Sequence, residues 1–467
     1  MEGRIKYLAK NTAIFTIGTV ATKFIGFILI PLYTNVLTTT QYGTIDLISS
    51  ICTVLAPIMV LNIGESILRF CLDKDADINK IISIGTIIYG FSLVIGLIIV
   101  PVCYSIDTIS DFSVLIYFYT IGLSGSELLM CWLRGREMLL QYTIGNIIRT
   151  FCVALFNIVF LLVFKWGIYG YFLAYILGAF ITILYASVVG KVWKFIKINS
   201  FDKKLFMEMS KYSVVLIPNT FMWWIMNTSD HLMVTVALGA AANGIYAISY
   251  KIPNLISSFT SIFNQAWRYS AIKENGSSDE EDYNNAIFKN LTVVAMLIGI
   301  SMMTFSKIFL KYYVSKEFFS AWMYTPFLVV GCVYLTLATF ISTSYTVHKD
   351  SVGYLISGTL GAILNIVLNL ILIPILGVFG AATATCLSYI AVFVYRLYNT
   401  KKYISYNVKN KEFIVGSIVL VVSGVLMFAN SMIAQLIQIG LLGLIFVFDW
   451  KTFKPIFEKV VKKFMKK

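Results

Sequence analysis

Runs of about twenty apolar residues follow one another along this chain almost without pause, and no other feature limits its fold as strongly. A helix rising 1.5 Å per residue needs about 20 residues to cross a hydrocarbon core of about 30 Å. Inside lipid no water meets the backbone amides, so a spanning segment must satisfy them within itself, as a helix does. Fourteen spans are predicted, at 11–33, 44–67, 81–104, 112–133, 142–164, 168–190, 212–238, 244–267, 287–310, 321–347, 353–375, 378–398, 413–429 and 432–450. Charged residues make up 13% of the chain and hydrophobic ones 58%, against about 25% charged in a soluble domain. A water-soluble fold is excluded, and the chain is read as all-α and polytopic. The first run has full spanning length and no small-residue cleavage site after a short apolar region, so it is expected to stay as the first helix.

The formal net charge of +14 would invite a nucleic-acid partner in a soluble protein. In a membrane protein Lys and Arg gather in the cytoplasmic loops, and here they crowd one set of loops. With both termini on that side, the opposite loops carry Lys165, Lys311 and Lys316, while Lys23, Arg149, Lys251 and Lys307 fall within spans. The bias is expected to place both termini in the cytoplasm of a multi-pass membrane protein and leaves no need for nucleic acid as a partner. The outer loops are short, such as Ser105 to Asp111, Lys165 to Gly167 and Gly239 to Asn243. Lys451 to Lys467 reads as a basic interfacial segment drawn to anionic membrane lipids. The seven cysteines stand singly with no C-x-x-C pair, so neither a disulfide nor a metal site is expected.

The chain repeats itself. Thr34, Leu37 and Gly43 recur as Thr235, Leu238 and Gly244 at a constant spacing of 201, and Gly167, Gly170 and Ala174 recur as Gly377, Gly380 and Ala384 at a spacing of 210. The longer spacing fits a longer loop, Arg268 to Lys289, in place of Arg69 to Lys80. Two six-helix bundles are predicted, 1–198 and 199–400, followed by two extra helices and the basic tail in 401–467. Six is even, so both copies cross in the same sense, a parallel repeat of the kind transporters use.

The run Asn365-x-x-x-Asn369-x-x-x-x-Pro374-x-x-Gly377-x-x-Gly380-Ala-Ala-Thr-Ala-Thr, with Gly26 to Pro31 and the turn Leu37-x-x-x-x-Tyr42-Gly43, resembles the O-antigen and capsule repeat-unit flippases of the multidrug/oligosaccharidyl-lipid/polysaccharide (MOP) exporter superfamily. The resemblance runs over essentially the whole chain. It implies two bundles around a central cavity lined by spans 1, 2, 7 and 8. It also implies an undecaprenyl-diphosphate oligosaccharide as cargo, moved by alternating access for surface polysaccharide assembly. The partners it implies are that lipid-linked oligosaccharide, membrane lipids, and a polysaccharide polymerase with its chain-length machinery. No cofactor is expected, with H+ or Na+ left open as the coupling ion. The major facilitator fold shares the parallel repeat, but Arg69 to Asp75 lacks the Gly-x-x-x-Asp-Arg loop of that fold.

A charge at membrane depth costs at least about 2.5–3.5 kcal/mol on insertion scales, so by default it faces a cavity or a partner. Lys23 stands twelve residues into the first span, about 18 Å deep. It is a candidate cation for a diphosphate or acidic sugar, against a structural partnership with a neighbouring helix. Asp230 and His231 lie toward the outer third of span 7 and Lys251 at similar depth on span 8. Asp230 with Lys251 is expected as an ion pair, and Asp230 with His231 as a carrier of the coupling proton, against a static pair knitting two helices. Arg149 is a further candidate cation, against snorkelling to the interface, and Glu127 is its expected partner. Pro31, Pro57, Pro218 and Pro253 are expected inside helices, where each frees a carbonyl and permits a bend; the alternative is a tolerated kink.

Asp73-Lys-Asp75-Ala-Asp77 lacks the Gly and Glu that a calcium loop requires and reads as a solvated turn. Four functions compete. A drug or cation antiporter of the same superfamily would place acids where Lys23 stands. A lipid II flippase would carry more cavity arginines. A polysaccharide polymerase needs a sizeable outer loop, which is missing, so the chain is read as a flippase and not an enzyme.

Overall fold

The computed structural model describes residues 2–73, 75–197, 201–429, 431–448 and 450. The predicted basic tail, Lys451 to Lys467, lies outside the described residues. The helices run α1 (Glu2–Val36), α2 (Thr39–Met59), α3 (Ile63–Cys71), α4 (Ile78–Gly96), α5 (Ile99–Tyr104), α6 (Ser113–Gly135), α7 (Leu139–Ile158), α8 (Gly167–Gly190), α9 (Lys203–Leu238), α10 (Ala240–Ser249), α11 (Pro253–Glu274), α12 (Glu280–Tyr313), α13 (Thr325–Ile341), α14 (Thr343–Val347), α15 (Ser351–Leu376), α16 (Val378–Asn399), α17 (Lys411–Leu426) and α18 (Met432–Phe448). All fourteen predicted spans fall on helix, and among the described residues nine helices are long and apolar enough to cross a membrane.

Several spans are broken. The second is α2 followed by α3, because Leu61 and Asn62 turn left-handed with φ of 51° and 52°. The Asn62 N–H then reaches back to the Pro57 carbonyl at 2.6 Å. Asn tolerates that conformation while Leu61 is strained by it. The eighth span breaks over Tyr250–Ile252, and this corrects the expectation for Pro253. It is the first residue of α11, where the missing N–H removes no helical bond. Pro31, Pro57 and Pro218 do lie inside α1, α2 and α9.

Helix ends need partners for their free N–H groups. Thr38 opens α2 with a capping box, its Oγ1 taking the Gln41 N–H at 3.2 Å while Gln41 Oε1 takes the Thr38 N–H at 3.1 Å, worth about 1 kcal/mol. At the starts of α4, α9, α15 and α17 the side chains of Asp77, Asp202, Asp350 and Asn410 accept a first-turn N–H.

The chain forms two compact units, Met1–Trp224 with Gly239–Gly244, and Ile225–Leu238 with Ile245–Lys467. In the first, Ile63 and Ile67 of α3, Ile81 and Ile82 of α4 and Leu128, Trp132 and Leu133 of α6 make a buried core. The N-termini of α2 and α10 also cross there. A Cβ on Gly43 would stand 1.7 Å from the Ala240 carbonyl oxygen, and one on Gly244 2.1 Å from the Thr39 carbonyl oxygen. The 201-residue spacing maps Thr39 onto Ala240, so the crossing is symmetric in the repeat. Asn243 Nδ2 ties it by donating to the Gly43 carbonyl at 3.1 Å and Asp46 Oδ2 at 3.2 Å.

In the second unit Trp267, Phe288, Phe340 and Tyr406 stack, with the Trp267 and Phe340 rings 4.6 Å apart. Small residues let helices approach, as expected where apolar contact with lipid gives no drive to associate. Gly331 meets the Cys386 backbone, while Gly299 of α12 and Gly416 of α17 receive Leu420 and Met296. The two extra helices thus dock on α12, and Gln438 of α18 holds α17 through the Ser423 carbonyl at 2.7 Å. Gly167 and Gly377, equivalent in the repeat, carry φ of 54° and 61° at the starts of α8 and α16.

Candidate functional site

Asp230 is 1% exposed near the C-terminal end of α9. Tyr246 of α10 and Tyr250, the first residue past its end, point at it from positions four residues apart, a spacing that brings side chains to one face. Their hydroxyls donate to Asp230 Oδ2 at 2.7 and 2.5 Å, and Thr385 of α16 donates to the same oxygen at 3.1 Å. Oδ1 accepts the His231 backbone N–H at 3.0 Å. On α15, Asn365 Nδ2 donates to Thr385 Oγ1 at 3.3 Å, and Asn369 Nδ2 donates to the carbonyl and Oδ1 of Asn365 at 2.9 and 3.0 Å. Asn369 Oδ1 is left buried with no hydrogen-bond partner.

Hydrogen bonds to an ionised acceptor are roughly twice as strong as neutral ones, so three hydroxyls on one oxygen let a charge persist away from water. The cluster gathers carboxylate, hydroxyl and amide oxygens and no sulfur, a donor set that suits a proton or a hard cation. Among the described residues no group of three His, Cys, Asp or Glu side chains is placed to hold a metal.

The expected ion pair of Asp230 with Lys251 is corrected. Among the described residues no ion pair within 4.0 Å joins Lys251 to Asp230; Lys251 sits half-buried in the turn between α10 and α11, and the hydroxyls of Tyr246 and Tyr250 take the place it was expected to fill. His231 is 7% exposed and packs its ring on Tyr246 and Tyr250, with centroids 5.1 and 5.0 Å away. Lys23 is exposed on α1. Arg149 of α7 is half-buried and Glu127 of α6 exposed. No ion pair within 4.0 Å joins them among the described residues.

Tyr246 and Tyr250 were not singled out by sequence, although their four-residue spacing was a readable signal, whereas Asn365, Asn369 and Thr385 stand in the motif that carries the resemblance. Arg396 was missed as well. It is 3% exposed in α16, with Nε on Ser357 Oγ and Nη1 on the Ala338 carbonyl, both at 3.0 Å.

Residues 8–269 match the family described as polysaccharide biosynthesis protein. The chain belongs to that family. The matched stretch includes α9 and α10, which supply Asp230, Tyr246 and Tyr250, and ends before α15 and α16. Two uncharacterized membrane proteins of Methanocaldococcus jannaschii are similar to this polysaccharide biosynthesis protein. MJ1375 is 26% identical over 268 residues, 53% of this chain and 62% of the relative. MJ1068 is 23% identical over 322 residues, 64% and 62%. The chain thus spans less than two thirds of the length of either.

Among solved structures, the inward closed lipid II flippase MurJ superposes with a TM-score of 0.70 at 15% identity, covering 97% of this chain and 99% of MurJ. An outward-facing MATE multidrug transporter of the MOP superfamily gives 0.56 at 13%, covering 84% and 95%. A MOP superfamily transporter of Pyrococcus furiosus, titled for the reverse polarity of its binding pocket, gives 0.55 at 12%, covering 89% and 96%. The chain therefore shares the fold of these three structures and is a multi-pass membrane protein, in line with the resemblance drawn from its sequence.

Proposed function

We propose that the chain flips a lipid-linked oligosaccharide, an undecaprenyl-diphosphate repeat unit, outward across a bacterial cytoplasmic membrane by alternating access. The family match over residues 8–269 carries this reading, and the MOP fold supports it. Lys23, Arg149 and Lys251 are the cations proposed to meet the anionic cargo, and Pro31, Pro57 and Pro218 the points where helices bend. A polymerase with its chain-length machinery would take the delivered unit.

The Asp230 cluster is proposed as the coupling site, taking H+ or Na+ on the carboxylate with the hydroxyls of Tyr246, Tyr250 and Thr385 around it. Lipid II is the second cargo to weigh, favoured by the fold likeness to MurJ.

Depleting the protein and identifying the lipid-linked intermediate that accumulates on the inner leaflet decides between them. A repeat-unit oligosaccharide is expected; accumulation of lipid II moves the cargo, and accumulation of neither removes the flippase reading. In vesicles carrying the purified protein, Asp230→Asn is expected to abolish the dependence of flipping on a cation gradient. Unchanged dependence removes Asp230 as the coupling residue.

A further inference from the structure

Lysines are rare on the side of the membrane that the charge count assigns to the outside, yet two of the three outer-loop lysines, Lys311 and Lys316, converge with the span residue Lys307 at one place in the second unit. Lys307 and Lys311 lie one turn apart on α12, and Lys316 follows just past its C-terminal end. With Tyr312 and Gln435 of α18 they line a cavity of about 710 Å³. The Lys307 ammonium stands 4.1 Å from the centre of the Trp322 ring and that of Lys311 5.9 Å from Tyr312. Lys311 and Lys316 are exposed, and among the described residues no carboxylate lies within ion-pair distance of either. Glu317 is their one acidic neighbour in the turn, and it does not line the cavity.

A second, smaller cavity of about 230 Å³ shares Lys307 and Gln435 and is lined further on by Met303, Leu426, Met427 and Met432, with Thr304, Ser431 and Gln438 between them. The basic pocket thus adjoins a crevice of α12, α17 and α18 whose apolar part is methionine and leucine and whose polar part is hydroxyl and amide. Thioether side chains adapt to flexible apolar chains, and lysine neutralises phosphate as a point charge without fixed geometry. One occupant satisfies both halves, an amphiphile with a phosphate head and an apolar tail.

We propose that this pocket binds the phosphate of an anionic lipid in the leaflet at the C-terminal end of α12, with the lipid tail along the methionine crevice. The site is separate from the Asp230 cluster and holds whatever the cargo is, because it depends only on the lysines and the crevice.

The test uses the purified full-length protein in a neutral detergent, with thermal unfolding followed as lipid is added. Phosphatidylglycerol is expected to raise the melting temperature at concentrations about tenfold below those phosphatidylcholine needs. Lys311→Gln with Lys316→Gln is expected to erase that preference while leaving the lipid-free melting temperature within a degree or two, both side chains being exposed. Lys165→Gln, another outer-loop lysine away from the pocket, should keep it. A polyprenyl phosphate arm tells a carrier lipid from a phospholipid, since either stabilising the wild type but not the double variant supports the site and names its source. Stabilisation by inorganic phosphate alone, as strong as by lipid, overturns the lipid assignment. An undiminished phosphatidylglycerol preference in the double variant overturns the site itself. Native mass spectrometry of retained lipids, read on the same proteins, keeps the test decisive if the double variant is unstable.

Discussion

An acid 1% exposed, as Asp230 is, persists only where donors replace the water it has lost, and α10 and α16 supply them. Tyr250→Phe removes one donor and keeps the ring, so a loss of about 1–2 kcal/mol is expected, read as a lower melting temperature in detergent. Asp230→Ala should cost more than Asp230→Asn, because alanine strands three buried hydroxyls while the amide still accepts from them. Equal melting temperatures for these variants and the wild type contradict the hydrogen-bond geometry. Among the described residues no ion pair within 4.0 Å joins Lys251 to Asp230, so Asp230→Asn and Lys251→Ala are expected to add to within about 0.5 kcal/mol when combined. A double variant more stable than the worse single one would reinstate the ion pair. At this scale Asp230 and Lys251 were both legible, since a charge in an apolar run stands out, but their pairing was not. Depth along two helices fixes only one coordinate, and the direction around each axis decides which side chains meet.

The crossing of α2 and α10 belongs to the element scale. Gly43→Ala and Gly244→Ala each force a methyl into a carbonyl oxygen that cannot give way without moving a helix, and overpacking of this kind costs about 1–3 kcal/mol. Gly26→Ala on α1, with nothing within 4 Å, is the matched control and is expected to be neutral. A lower melting temperature for the first two and none for the third is the expected pattern; three neutral variants contradict the crossing. The start of α15 gives a pH prediction. The Gly353 N–H, then Lys402 and Tyr403, hold the Asp350 carboxyl down at about 2. Its folded value lies below the ordinary one near 4, so its contribution is fully present above that ordinary value and is lost only as pH falls through about 2. Asp350→Ala is therefore expected to lower the melting temperature by the same amount at pH 5 and pH 8. A difference that vanishes at pH 5 would show that the carboxylate titrates higher. The aspartate at the helix start was visible in the sequence, whereas Lys402 and Tyr403 reach it from more than fifty residues away.

For the whole molecule, reporter fusions after Gly239 and Leu376 are expected outside and those after Lys197 and Lys402 inside; the reversed pattern removes the proposed orientation and with it the leaflet of the lysine pocket. The all-helical class and the multi-pass character were carried by the sequence alone. Apolar length is a local quantity that lipid converts directly into helix, and a duplicated glycine with its backbone conformation, as at Gly167 and Gly377, repeats wherever the copy does. Contacts are another matter. A helix apolar on every side, such as α8, has no polar face to say which neighbour it meets. Only the tertiary structure could bring Thr385 to a carboxylate 155 residues earlier in the chain, break the eighth span before Pro253, or gather Lys307, Lys311 and Lys316 against α18. The sequence determined what crosses the membrane, through the solvent's demand on each segment by itself, and packing decided what those segments bring together, because that depends on rotation and approach between segments far apart in the chain.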